Sequence, residues 1–295
     1  MDGMGGQHVG VLGLGKMGLP MATHLRDAGY VVHGFDVRPE AAAAAGRQGI
    51  LVAATPAEVA RRAAATFVVV GFDDEVVEVC LGADGIRDGA SAGDVVFLCS
   101  TIAPDTSTRV GRGLSDREVR VADATLCRAE HAAVDGTLLV LGGGDPDVFE
   151  EWDGALRTFA TDVCLLGDLG AGQVGKMLNN LLLWINVAAN AEALRLGRRL
   201  GVEQDALIPA LMLGSGANWA LGTWHKARPM PWAEKDLAIC LEYADRVGLP
   251  APLSGLTREV MKRLKQDKAA VSADGVAASM KLAVDVWEAG QVTTR

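Results

Sequence analysis

His8-Val-Gly-Val-Leu12-Gly13-Leu14-Gly15-Lys16-Met17-Gly18 decides how the first half of this chain reads. A short apolar run, Val9–Leu12, leads into G-x-G-x-x-G, and a helical pattern, Met17–Ala28, follows. Gly13 permits a tight turn after a strand. Gly15 lets backbone approach a pyrophosphate, and Gly18 lets the helix pack closely on the strand. The helix N-terminus then offers unbonded N–H groups and a positive dipole end to that anion. Asp36 closes the next strand, Val31–Asp36, 23 residues after Gly13. A carboxylate there accepts from ribose hydroxyls and repels a 2′-phosphate, so NAD is the expected cofactor and NADP the lesser alternative. Arg38 tempers this preference; its plain reading is a solvated loop charge.

Working outward, further strand patterns fall at Thr66–Phe72, Asp94–Cys99, Val119–Ala124, Leu138–Gly142 and Asp162–Leu166, with helical stretches such as Pro56–Ala64 between them. Apolar strands alternating with helices imply a mostly parallel, doubly wound sheet of the Rossmann type. After Gly167 the character changes. Gln173–Leu200 reads as one long helix, followed by helical stretches at Glu203–Leu213, Trp232–Val247, Ser254–Gln266 and Val276–Glu288. The expected organisation is an α/β domain over 1–167 and an all-α domain over 168–295, joined by the long interdomain helix.

Composition sets the outer limits. A chain of 295 residues suggests two domains, and 49% hydrophobic with 22% charged residues suits folded cores. A net charge of −9 without a basic cluster argues against nucleic acid as a partner. The run Leu181–Leu194 is broken by Asn186, Asn190 and Glu192, so no membrane association is expected. Five scattered cysteines suggest reduced thiols, and with no visible signal sequence the expected location is cytoplasmic. His8, His33 and His225 lack partners at metal or triad spacing, so no metal is assigned.

The second informative segment is Gly170-Ala-Gly-Gln-Val-Gly-Lys176-Met-Leu-Asn179-Asn180. Lys176 and Asn180 share a helix face at i,i+4. On their own they read equally as an exposed cation and packing polars. Together with other segments they carry a resemblance that covers essentially the whole chain. Gly13–Leu25, Ser100-Thr101-Ile-Ala-Pro104, Asp123–Ala129 with Gly136-Thr-Leu138, Gly170–Asn180 and Lys235-Asp236-Leu237 occur in the order found in the β-hydroxyacid dehydrogenase family, which the chain resembles.

The resemblance implies an NAD-dependent dehydrogenase or reductase that interconverts a small 3-hydroxy acid, or an analogous anionic hydroxy compound, and its semialdehyde or ketone. It implies that Lys176 is the general acid/base and that Asn180 orients substrate and lysine. Ser100, Cys127, Arg128, Asn179 and Leu183 fall in the implied substrate site. Gly13, Leu14, Gly15, Lys16, Met17, Gly18, Asp36, Val37, Arg38, Phe72, Asp73, Thr101 and Lys235 fall in the implied cofactor site. A homodimer or homotetramer is the implied assembly.

The sequence departs from the family pattern twice. Leu98 replaces the acid of D-x-S-T, and Cys127-Arg128-Ala129 stands where Ser-Gly-Gly is common. A similar arginine occurs in the sulfolactaldehyde-reductase-like branch, so Arg128 is expected to grip an anionic headgroup bidentately; its plain alternative is a surface arginine beside Glu130. Leu183 and Val187 share the face of Lys176 and are expected to line the pocket wall, which favours a more apolar substrate tail. Trp219 and Trp224 read as core or dimer-interface residues ahead of substrate contacts. Three alternatives stand beside the leading reading: a sulfolactaldehyde-type aldehyde reductase, an imine reductase, and a non-catalytic dinucleotide-binding protein. Lys176 argues against the last two.

Overall fold

The computed structural model describes residues 6–225 and 231–269, apart from the side chains at 231 and 265–269. The expected helix Val276–Glu288 lies outside the described residues. The chain divides into two units, Met1–Lys176 and Met177–Arg295, and the division falls inside one helix.

The first unit alternates strands and helices: β1 (His8–Leu12), α1 (Gly18–Asp27), β2 (Val31–Phe35), α2 (Pro39–Arg47), β3 (Leu51–Val52), α3 (Pro56–Ala60), β4 (Ala65–Val68), α4 (Asp73–Leu81), α5 (Ile86–Gly89), β5 (Val95–Leu98), α6 (Pro104–Leu114), β6 (Arg120–Cys127), α7 (Ala129–Asp135), β7 (Leu138–Gly143), α8 (Pro146–Leu156) and β8 (Ala160–Leu165). The strands form one sheet in the order β3-β2-β1-β4-β5-β6-β7-β8. Every pairing is parallel except β6 with β7. The strand order reverses between β1 and β4, and the crevice outside the carboxyl ends of such strands is where ligands bind in doubly wound folds.

The period of two along each strand deals its apolar side chains to two layers. Val9, Val11, Phe67 and Phe97 enter one buried cluster; Leu12, Val68, Val96 and Leu98 enter the other. Phe67 stacks on Phe97 at 5.1 Å, and Phe159 meets Phe67 edge-on at 5.6 Å. Each such buried side chain contributes about 1.5–3 kcal/mol of transfer free energy. Helix starts are written in the sequence. Pro39, Pro56, Pro104 and Pro146 occupy the first turns of α2, α3, α6 and α8, where a missing N–H costs nothing. The Thr55 hydroxyl and Asp145 carboxylate cap two of them by accepting from Glu58 N–H and Asp147 N–H.

Three boundaries differ from expectation, each for a local reason. β3 is an addition to the expected strands: within the apolar run at 50–54 only two residues pair, and both are exposed. β4 stops at Val68 instead of running to Phe72. The N–H of Val70 donates to Ser100 Oγ at 2.9 Å, and those of Gly71 and Phe72 donate to Glu75 Oε2, so they leave the ladder. β6 runs on to Cys127 because Leu126 and Cys127 pair with Val140 and Leu139 of the antiparallel β7.

The second unit holds most of α9 (Ala171–Arg199), then α10 (Gln204–Met212), α11 (Trp219–Gly222), α12 (Pro231–Arg246) and α13 (Pro252–Ala269). At 1.5 Å per residue the 29 residues of α9 span about 43 Å. Its Trp184, Val187, Ala191 and Leu194 share one buried cluster with Trp224, Leu237, Met261 and Leu264. Trp224 is therefore a core residue, while Trp219 is 43% exposed. Asn190 and Asn218 exchange side-chain amide hydrogen bonds at 3.0 and 3.1 Å, and Asn218 also caps α11. Among the described residues, no helix is long and apolar enough to cross a membrane.

Candidate active site

The turn after β1 is built around space that admits no side chain. Gly13 has φ +93°, and a Cβ there would lie 2.4 Å from Val69 O; at Gly18 it would lie 1.9 Å from Gly13 O. Gly15 differs, because a Cβ there would meet only Arg38 Nη2, at 3.3 Å. Its open side is the approach to the backbone. α1 has no side-chain N-cap and no acid in its first turn, so its N-terminal N–H groups suit an anion. Gly13 N–H donates to Phe35 O at 2.8 Å and joins this turn to the end of β2.

Asp36 follows β2 with a side chain only 5% exposed. Its Oδ2 accepts from Leu14 N–H at 2.8 Å and from Arg38 Nη2 at 3.0 Å; its Oδ1 accepts from Arg38 N–H and Nε. Burial would raise this carboxyl. The Arg38 hydrogen bonds, the Leu14 N–H and the Arg38 charge outweigh burial and hold it below its ordinary value. Arg38 is thus both Asp36's partner and a cation over the glycine turn. Val37 is 80% exposed, and Lys16 pairs with Glu130 at 3.3 Å across two exposed side chains. A pyrophosphate at the turn and a ribose at Asp36 fit these residues.

Phe72 is 47% exposed beside the start of α4. Asp73 is committed elsewhere in its own loop: its Oδ1 accepts from Ala103 N–H at 2.8 Å and from Thr106 Oγ1 at 2.6 Å, fastening the turn after β4 to the start of α6. Ser100 is 4% exposed; its hydroxyl accepts from Val70 N–H and donates to Val68 O at 3.3 Å. Leu98, in the place of the family's acid, is a fully buried core residue at the end of β5.

At the end of β6, Lys176 Nζ donates to Leu126 O at 2.6 Å and lies 3.9 Å from Cys127 Sγ. Cys127 is 3% exposed. Burial pushes its thiol up, and the Lys176 and Arg128 charges work against that. Arg128 and Ala129 follow with φ of +82° and +64°. The Arg128 guanidinium is engaged within its own unit. Nη1 pairs with Asp162 at 2.8 Å and donates to Thr161 Oγ1 at 2.8 Å and Thr137 O at 3.1 Å. The anion grip expected of Arg128 therefore meets an internal carboxylate already in place.

The first turn of α9 is fastened by groups the sequence did not single out. Asp123 Oδ2 accepts from Gly170 N–H at 2.6 Å and Gly172 N–H at 3.2 Å, and burial pushes this carboxyl up. Gln173 reaches Ser100 and Ile102. Asp123 does open the Asp123–Ala129 motif, and a carboxylate on a buried strand is a signal that it must find donors.

In the second unit, Asn180 Nδ2 and Trp184 Nε1 both donate to Asp236 Oδ2, at 3.0 and 2.9 Å, and Asn179 Nδ2 donates to Asn180 Oδ1 at 3.0 Å. Asp236 is 6% exposed and belongs to the Lys-Asp-Leu motif whose lysine alone drew a role. Lys235 Nζ sits 5.8 Å from the Trp232 ring centroid. Val187 is fully buried in the helical cluster and Leu183 packs against it. Val187 thus lines no pocket wall, because the core claims that part of the helix face. Among the described residues, no group of three or more His, Cys, Asp or Glu is placed to hold a metal ion.

Residues 8–167 match the family model for the NAD binding domain of 6-phosphogluconate dehydrogenase, and residues 170–282 match that for the NAD-binding of NADP-dependent 3-hydroxyisobutyrate dehydrogenase. The chain is 32% identical over 268 residues to a 3-hydroxyisobutyrate dehydrogenase of Pseudomonas aeruginosa, covering 85% of this chain and 90% of that protein. It is 30% identical over 226 residues to the NAD-dependent L-serine dehydrogenase of the same species, covering 77% and 74%. A solved structure of Mycobacterium tuberculosis 3-hydroxyisobutyrate dehydrogenase with L-serine superposes with a TM-score of 0.82 at 25% identity, covering 95% of this chain and 99% of that one. With a glycine turn fitted to a dinucleotide and two consecutive family models along its length, the chain belongs to the β-hydroxyacid dehydrogenase family and is an NAD-binding oxidoreductase acting on CH–OH groups.

Proposed function

We propose that the enzyme interconverts a small 3-hydroxy acid, or an analogous anionic hydroxy compound, and its semialdehyde, with Lys176 carrying the proton. The observation that supports this most is the Lys176 amine, 2.6 Å from Leu126 O at the mouth of the Cys127–Ala129 turn. The names of the relatives, which act on 3-hydroxyisobutyrate and L-serine, support the substrate class. When bound, the nicotinamide supplies or accepts the hydride.

The protein's own residues do the rest. The turn Gly13-Leu14-Gly15-Lys16-Met17-Gly18 and the α1 N-terminus bind the pyrophosphate, and Asp36 accepts from the ribose hydroxyls. Val37, Arg38, Phe72, Asp73, Thr101 and Lys235 complete the cofactor site. Ser100 and the backbone at Cys127 and Arg128 hold the substrate carboxylate, with Asn179 and Leu183 beside it. In reduction the Lys176 ammonium gives its proton to the nascent alkoxide oxygen; in oxidation the neutral amine takes the hydroxyl proton. Asn180, held by Asp236, orients the reacting oxygen. The same reading makes the enzyme a cytoplasmic homodimer or homotetramer. The exposure of Leu178, Leu182 and Leu196 along α9, and of Leu200 just after it, supports an assembly.

The test is NADH and NADPH oxidation against semialdehydes with apolar, carboxylate and sulfonate tails. We expect NADH to be preferred, and Lys176→Ala to lower kcat about 10²- to 10⁴-fold with NADH binding kept. Full turnover by Lys176→Ala would overturn the assignment.

A further inference from the structure

Gln173 is 1% exposed, and both ends of its amide are used on one short segment. Its Oε1 accepts from Ile102 N–H at 3.1 Å, and its Nε2 donates to Ser100 O at 3.0 Å. A backbone N–H can only donate and a carbonyl only accept, so these partners fix the orientation of the amide. Thr101 lies between them. One side chain thus holds the peptide groups on both sides of Thr101, as a neighbouring strand would.

The other end of Gln173 is equally committed. It sits on the first turn of α9, three positions before Lys176 and so nearly one helical turn from it. The adjoining Gly172 is held on both sides: its N–H by Asp123 Oδ2, and its carbonyl by Thr125 Oγ1 at 3.1 Å. Sliding or rotating this turn past residues 100–102 breaks the amide pair. Breaking it leaves two buried polar groups unpaired.

We propose that Gln173 is a positioning residue that registers Lys176 against the Ser100-Thr101-Ile102 segment, so that the proton-carrying amine and the loop assigned to substrate and nicotinamide hold one geometry. This rests on the reading of Lys176 given above. The substitutions separate the two halves of the amide. Gln173→Leu removes both hydrogen bonds. Gln173→Glu keeps an acceptor for Ile102 N–H, but as a carboxylate it cannot donate to Ser100 O. Protonated, it donates again.

The experiment uses the full chain and the fastest substrate of the semialdehyde panel, with thermal melts to establish the folded fraction and NADH fluorescence to measure cofactor binding. In Gln173→Leu we expect kcat to fall about 10- to 100-fold, the scale of a misplacement near 1 Å, with KM and NADH affinity little changed. Hydrogen exchange at Ile102 N–H should quicken. The activity of Gln173→Glu, taken as a fraction of wild type at each pH, should climb as pH falls. If Gln173 acts through Lys176, then Lys176→Ala and Lys176→Ala with Gln173→Leu will turn over alike. Equal losses in both backgrounds would overturn the coupling while leaving the lysine assignment standing. The coupling also fails if Gln173→Glu tracks wild type at every pH, or if activity merely follows the folded fraction. Undiminished turnover in Lys176→Ala would overturn the lysine assignment, and the coupling with it.

Discussion

Two turns lie at the carboxyl ends of parallel strands, Gly13–Gly18 after β1 and Cys127–Ala129 at the end of β6, and they meet left-handed backbone in opposite ways. Gly13 reaches φ +93° as a glycine, with Val69 O where a Cβ would stand. Arg128 and Ala129 reach +82° and +64° as residues with side chains. Left-handed backbone costs a non-glycine residue roughly 1–2 kcal/mol. At Gly13 and Gly18 the first turn has no room for a side chain. The second tolerates its strain under three tethers on the Arg128 guanidinium, from Asp162, Thr161 and Thr137. A glycine can therefore be required by space at one turn, while at the other its absence is offset by side-chain bonding.

Substitutions of opposite direction break or sharpen this contrast. The largest effect belongs to Gly13→Ala, where the added methyl meets backbone and not a flexible side chain. We expect NADH affinity to fall about 10- to 100-fold, or roughly 1.4–2.8 kcal/mol, and the unfolding midpoint to drop. An alanine tolerated here would erase the distinction. At the second turn the reverse change should help: Ala129→Gly relieves the left-handed strain and adds some freedom to the unfolded chain, for a net gain on the order of 0.5 kcal/mol in urea unfolding. A loss of stability instead would show that Ala129 is not strained.

The smallest effect is electrostatic. The Thr161 hydroxyl and the Arg128 guanidinium hold the exposed Asp162 carboxyl below its ordinary value of 3.8. A depressed acid contributes stability above its unfolded pKa and loses it as pH falls through the folded one. The tether should thus be intact at neutral pH and fade below about 3.8, and Asp162→Asn should flatten that part of the stability–pH curve. An unchanged curve would mean that the arginine stays in place without Asp162.

Much of the first unit was legible because buried parallel strands read as apolar runs and their helices open on proline. The glycine turn was legible for the same local reason: all its atoms come from adjacent residues. What escaped the sequence are contacts between distant positions. Gln173 meets Ser100, Asp123 meets Gly170, and Arg128 meets Asp162; no spacing rule connects such pairs. Val187 shows the limit from the other side. Helical periodicity placed it on the face of Lys176, but the period says nothing of what covers each turn, and the Trp184–Leu264 cluster claims it.

The lone antiparallel pairing also has a kinetic side. Cys127 meets Leu139 across one short helix, whereas Val9 meets Ala65 only after β2, β3 and three helices have intervened. Loop-closure entropy grows with the enclosed length, and pairings between near neighbours form sooner. The β6–β7 hairpin is therefore the cheapest seed for the sheet. The dinucleotide crevice between β1 and β4 is closed only by one of its slowest contacts. In refolding of the whole chain, the strand pair that carries Cys127 and Arg128 should take shape before β1 and β4 come together beside the glycine turn.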